Sequence, residues 1–285
     1  MIHYVENDFL KIGVKQFGCE LTSIVSKKSG AEYLWQGDAS FWRGQSPVLF
    51  PIIGRLLEDK YYYNGREYAM AKHGFARLLE WTHVETTADS LKFLLTDNEE
   101  TMKSYPFRFD LYVTFSIDKN RLTVSHDVIN KNNFDMYFSI GAHPAFNCSI
   151  GDILTFEQEE DLDTFKIDLE KSLLLPDRYP VMKNSKDLVI TKDIFNEDAL
   201  IFSDVRSQNI TLHSNNHNRS IKFNTGASPY LGIWAKPGAP YVCIEPWFGI
   251  NDSPKRKQDL SEKTGIEKAA PDSCFNFTWY AEINE

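Results

Sequence analysis

The run Phe107-Arg108-Phe109-Asp110-Leu111-Tyr112-Val113-Thr114-Phe115-Ser116-Ile117 leads through Asp118-Lys119-Asn120 into Arg121-Leu122-Thr123-Val124-Ser125-His126-Asp127-Val128-Ile129-Asn130. Phe107, Phe109, Leu111, Val113, Phe115 and Ile117 fall on every second position, as do Leu122, Val124 and Val128. A period of two places them on one face of a pleated strand and the polar residues on the other. His126 keeps the register of Leu122, Val124 and Val128, so it reads as a packed histidine behind any site. A short polar turn between the runs makes them antiparallel. A second turn, Lys131-Asn132-Asn133, leads into Met136-Tyr137-Phe138-Ser139-Ile140, and the three runs read as a meander ending at His143.

The pattern extends outward in both directions. Upstream, Leu91 to Leu95, Glu20 to Ser26 and Phe9 to Val14 are short alternating runs. Tyr61-Tyr62-Tyr63-Asn64-Gly65-Arg66-Glu67-Tyr68 carries Asn-Gly between aromatic arms, the strongest short hairpin signal. Downstream come Ile153 to Phe156, Ala199 to Ser203, Ile210 to His213, Ser220 to Asn224, Tyr230 to Ala235, Tyr241 to Glu245 and Phe275 to Ile283. The acidic stretch Glu157-Gln158-Glu159-Glu160-Asp161-Leu162-Asp163 reads as a solvated loop. Helical signal is confined to Asn98–Ser104 and Lys255–Lys263, neither of which holds a 3.6-residue period for long. Many short strands without alternating long helices predict an all-β fold: a large antiparallel β-sandwich with few short helices. No linker or repeat divides it, so residues 1–285 are expected to form one domain.

Composition narrows the function. The chain is 42% hydrophobic, with 20 Phe and 13 Tyr among 285 residues, which excludes intrinsic disorder and leaves aromatic rings for packing or ligand walls. A net charge of −9 argues against nucleic acid or an anionic membrane as partner, since both need clustered basic charge. Cys19, Cys148, Cys243 and Cys274 are scattered without a C-x-x-C pair, which argues against a disulfide framework or a thiolate zinc site. The first residues lack the basic region and apolar core of a signal peptide, and no stretch approaches the roughly 20 apolar residues of a membrane span. A soluble protein of a reducing cytoplasm is expected, acting on a small molecule as a monomer or homodimer.

Chemistry concentrates where polar side chains meet strand ends. In Gly141-Ala142-His143-Pro144-Ala145-Phe146-Asn147 an imidazole stands directly before a proline, and in Tyr241-Val242-Cys243-Ile244-Glu245-Pro246-Trp247 a carboxylate does. Proline has no amide hydrogen and biases the residue before it to extended geometry, so each strand is expected to stop with its polar residue at the mouth. Two further stretches, Phe50-Pro51-Ile52-Ile53-Gly54-Arg55 and Lys72-His73-Gly74-Phe75-Ala76-Arg77, place cations and an imidazole on connections, where positioned side chains serve ligands more often than cores. Each residue also has a plain structural reading: His143 as a core histidine, Glu245 as half of an ion pair, Arg55 and Arg77 as surface charges. His73, His143 and Glu245 would make a His₂Glu zinc set, but they lack the short spacing usual in such sites, and no metal is expected. His213 and His217 lie in a polar loop without a carboxylate companion.

Taken together, Glu32-Tyr33-Leu34-Trp35, Phe50–Arg55, His73–Arg77, Gly141–Phe146 and Ile244–Trp247 resemble the aldose 1-epimerase (galactose mutarotase-like) family, in particular its LacX-like branch. The resemblance runs over nearly the whole chain and implies a large β-sandwich. It also implies a cofactor-free interconversion of α and β anomers of a hexose, with His143 as general acid and Glu245 as base. Arg55 and His73 match sugar-binding positions, and Asp198 matches a site aspartate, with Asp204 as competitor. His73–Arg77 also resembles the hexose-6-phosphate branch, where Arg77, with Arg55, would meet a phosphate. A non-catalytic sugar-binding or sensing protein on the same fold is the alternative. Trp234 and Trp247 would cover the apolar face of a sugar ring or pack in the core.

Overall fold

The computed structural model describes residues 1–255 and 258–285. In chain order the strands are β1 (Ile2–Glu6), β2 (Leu10–Lys15), β3 (Glu20–Ser26), β4 (Val48–Leu49), β5 (Lys60–Tyr63), β6 (Arg66–Ala69), β7 (Thr82–Thr86), β8 (Ser90–Thr96), β9 (Phe109–Asp118), β10 (Arg121–Asn130) and β11 (Met136–Phe138). There follow β12 (Ile140–Ala142), β13 (Ala145–Asn147), β14 (Ile153–Asp168), β15 (Leu173–Val189), β16 (Leu200–Ser203), β17 (Asn209–His213), β18 (Ser220–Asn224), β19 (Tyr230–Trp234), β20 (Tyr241–Phe248), β21 (Glu267–Ala269) and β22 (Cys274–Asn284). A nine-stranded sheet runs β15-β14-β17-β18-β22-β10-β9-β8-β7, and a second runs β16-β19-β20-β12-β4 with β13 beside β20. The chain is a large antiparallel β-sandwich. Phe109, Leu111, Val113 and Phe115 of β9 and Phe277, Trp279 and Ala281 of β22 face the core as their period of two requires.

Helix is confined to short pieces. α1 (Glu99–Ser104) starts at Asn98, whose side chain accepts from the Glu100 and Thr101 amides while its own amide donates to Thr101 Oγ1. Of the expected helical stretch at Lys255–Lys263, Arg256 and Lys257 lie outside the described residues, and Leu260–Glu262 is one 3₁₀ turn.

Three expectations are corrected. β9 and β10 pair as read, but the third strand beside β10 is β22, from the far end of the chain. Met136–His143 instead breaks at Ser139, whose amide turns to the Pro51 carbonyl, and continues as β12 in the other sheet. The acidic stretch 157–163 is no loop: it lies inside β14, which with β15 forms a long ribbon. Glu160 is buried there, accepting from the amide and hydroxyl of Ser207, and that partner at long sequence separation is invisible to local charge counting. Finally, β20 runs on through Pro246 to Phe248, so Glu245 sits within a strand and not at its end.

Candidate active site

The central strand of the second sheet brings the two polar residues together. Along one edge of β20, Ile140 faces Phe248 and Gly141 faces Trp247; further along, Ala145 faces Cys243, Phe146 faces Val242 and Asn147 faces Tyr241. β12 and β13 therefore follow one register with a gap between them, and His143 in that gap stands directly opposite Glu245. Pro144 and Pro246 fall in the same stretch, where a ladder bond is missing and an absent amide hydrogen costs little. Residues opposite each other in an antiparallel pair have Cβ atoms about 5 Å apart, and here the side chains meet: His143 Nε2 lies 3.3 Å from Glu245 Oε2. The same carboxylate oxygen accepts from Trp247 Nε1 at 3.2 Å. Trp247 lies flat because its neighbours are glycines. A Cβ on Gly232 would stand 2.8 Å from its ring, and one on Gly141 2.9 Å from it.

These groups line a cavity of about 260 Å³ together with Trp42, Lys72, His73, Arg77, Asp198, Trp234 and Asn251. Trp42 stacks on the His143 ring with centroids 4.9 Å apart, and Trp234 meets it edge-on at 5.7 Å. His73 is held in the left-handed region (φ 66°) by two bonds to Gly54: its amide donates to the Gly54 carbonyl, and the Gly54 amide donates to its Nδ1 at 3.2 Å. An accepting Nδ1 leaves the proton on Nε2, so His73 presents a neutral donor. Burial, then Lys72 and His143, push its pKa well below the usual imidazole range.

Burial dominates the central pair. It pushes Glu245 well above the usual carboxylate range, opposed by the Trp247 hydrogen bond and Lys72 and reinforced by Asp198. It pushes His143 down to about 3, with Lys72 and Arg77 acting in the same direction. The ion pair Glu⁻/His⁺ is one way to place a single shared proton; carboxylic acid beside neutral imidazole is the other, and desolvation favours the second. Among the described residues, His143, Cys243 and Glu245 could hold a metal ion, their donor atoms lying within 4.8 Å of one another. The third donor beside the pair is thus Cys243, two residues along the strand, and not His73; burial holds its thiol well above its usual pKa.

The sequence profile of the aldose 1-epimerase family matches residues 2–262. The chain belongs to the aldose 1-epimerase family. It is similar to the plasmid protein LacX of Lactococcus lactis, 32% identical over 282 residues and 94% of each chain. A galactose mutarotase related enzyme from Lactobacillus acidophilus superposes with a TM-score of 0.95 at 31% identity, covering 100% of this chain and 98% of that one. A protein of Escherichia coli named as a candidate glucose-6-phosphate 1-epimerase is 26% identical over 216 residues, 71% of this chain and 66% of its own.

Within this aldose 1-epimerase fold, His143, Glu245, His73, Arg77 and Asp198 all line the one cavity. Asp198, in the left-handed region (φ 75°), stands before β16; Asp204 lines a different hollow, so of the two aspartates only Asp198 reaches the pair. Arg55 does not line the cavity: its guanidinium grips Asp59, one turn further along the chain, at 2.7 and 2.5 Å. Gly54 lies instead against the Asn251 side chain, where a Cβ would stand 2.1 Å from it. Trp42, Lys72 and Asn251 were not singled out from sequence. Lys72 stands inside a quoted motif, but Trp42 and Asn251 lie on irregular segments that no periodicity marks.

Proposed function

We propose that the protein interconverts the α and β anomers of a hexose by general acid–base ring opening. The observation that carries this reading is the direct cross-strand opposition of His143 and Glu245, 3.3 Å apart in a cavity of about 260 Å³ walled by three tryptophans. Anomerisation needs a base to take the C1 hydroxyl proton and an acid to protonate the ring oxygen. The C1–O5 bond then breaks, the aldehyde rotates, and the steps reverse on the other face. Glu245 acts as the base and His143 as the acid. The resting pair holds one proton, the number the working pair needs, and passing it from Glu245 to His143 across their contact arms the site. The His73 Nε2–H donates to a sugar hydroxyl and the Asp198 carboxylate accepts from one, which keeps the open chain in place. Trp42 and Trp234 hold the imidazole between them and give the ring's apolar face a wall.

A second reading, that the hexose carries a phosphate, is favoured by Arg77. Its Nε is buried without a hydrogen-bond partner, while Nη2 donates to the Lys72 carbonyl at 3.1 Å. Arg77 and Lys72 both line the cavity, and two cations on one wall suit an anion. The relative named as a candidate glucose-6-phosphate 1-epimerase adds weight to this choice. The test is relaxation of freshly dissolved anomers of glucose, galactose and their 6-phosphates, followed by polarimetry or NMR with and without protein. Unchanged relaxation of all four, with a melting temperature that rises with sugar, would make the protein a binding module.

A further inference from the structure

A second cavity, of about 380 Å³, lies against the first and belongs to no step above. A small apolar cluster separate from the main core supplies Ile167 and Trp247 to the sugar side and Leu174 and Ile250 to the other, with Phe165 and Tyr230 packed against it on that far side. Asn251 lines both cavities, so it marks where they adjoin. Its Nδ2 donates to the Ser172 carbonyl at 2.9 Å, which ties the turn of the β14–β15 ribbon to the segment after β20 and fixes this shared corner.

The walls decide the chemistry of the occupant. Leu174, Leu175, Pro176 and Ile250 form an apolar wall that offers sugar hydroxyls no partner, while polar residues such as Asp252 and Thr264 line another part of the cavity. Nor is Phe165 a free stacking platform, since the Arg178 guanidinium already lies 3.8 Å from its centroid. We propose that the apolar wall of the second cavity receives an apolar substituent, such as a phenyl ring, carried on a hydroxyl of the sugar away from C1. The substrate class is then a reducing hexose bearing an aryl or acyl group, its ring beside His143 and its substituent across Asn251.

This rests on the first cavity being the sugar site, and the test keeps the two apart by reading binding and turnover separately. Calorimetry would compare the 3-O-, 4-O- and 6-O-benzyl ethers of glucose with the matching methyl ethers, and the same set with galactose. At one position the benzyl ether should bind about tenfold more tightly or better, as burial of an aromatic ring predicts. Leu175→Trp, which fills the second cavity from a half-buried strand position, and Leu175→Asp, which makes it polar, should each remove that advantage and leave methyl-ether binding unchanged. Equal binding of benzyl and methyl ethers at every position overturns the proposal, as does an advantage that survives both variants. A benzyl advantage without any anomer exchange would sink the epimerase reading and leave this one standing.

Discussion

A carboxylate and an imidazole opposite each other on paired strands answer for one another, and their replacements should not behave independently. Glu245→Gln keeps the size and the Trp247 bond but removes the base, and His143→Asn removes the acid. Each should slow anomer exchange by about 10²–10⁴, and the double variant should be little slower than either single one. Multiplicative losses in a polarimetric assay would show two separate functions. The pH profile follows from the directions of the shifts. A second proton must enter on His143, whose pKa is lowered to about 3, and the one working proton must leave from Glu245, whose pKa is raised. kcat/KM should therefore rise with pH along a limb far below the usual imidazole range, run flat through neutrality, and fall only well above the usual carboxylate range. Both limbs belong to the pair. An acid limb near the ordinary histidine value would mean that solvent, and not burial, governs the site. Arg77 gives the third prediction: Arg77→Gln should cost a 6-phosphorylated sugar about 1.5–3 kcal/mol in kcat/KM, the worth of a charged hydrogen bond, and spare the free sugar. Equal losses on both would make Arg77 a packing residue.

At the level of strands, the site depends on glycine as much as on acid and base. Gly232→Ala puts a methyl carbon 2.8 Å from the Trp247 ring, inside contact distance, so the indole must tilt. Crowding of this kind costs roughly 1–3 kcal/mol. Because Trp247 Nε1 bonds the Glu245 carboxylate, the variant should lose activity as well as melting temperature; a stable, slow enzyme or a labile, fast one would each break that link. The pairs His143-Pro144 and Glu245-Pro246 were legible in sequence because proline marks a missing ladder bond wherever it falls. The reason given there, a strand end, holds for β12 and fails for β20, which continues because its neighbour has the gap. Arg55 turns away from the cavity because its direction is set by Asp59, a contact that a motif match does not see. The β14–β15 ribbon hid behind its charges: one face is solvated, and the buried Glu160 is satisfied by Ser207, far along the chain. Asp198 and Asp204 had the same residue type and similar flanks, and only the fold separates them.

Over the whole molecule, the nine-stranded sheet ends in edges that discourage further pairing. β15 carries Pro176 and Pro180, and β7 breaks register between His83 and Glu85. Its middle is another matter, because β22 pairs β10 on one side and β18 on the other. Deleting residues 274–285 would remove Phe277 and Trp279 from the core and open two inner edges at once. The truncated protein should fail to give a cooperative melt and should collect in the insoluble fraction; a soluble truncation with a sharp transition would show that β22 only seals a sheet already formed. The same placement bears on synthesis. A ribosome finishes β10 long before β22, and at 5–20 residues per second the interval is on the order of ten seconds. In its last part, once β18 has been made, the nascent sheet is two unjoined halves with bare inner edges, a window in which neighbouring chains on one messenger could pair with each other and in which a ribosome-bound chaperone would have the most to protect.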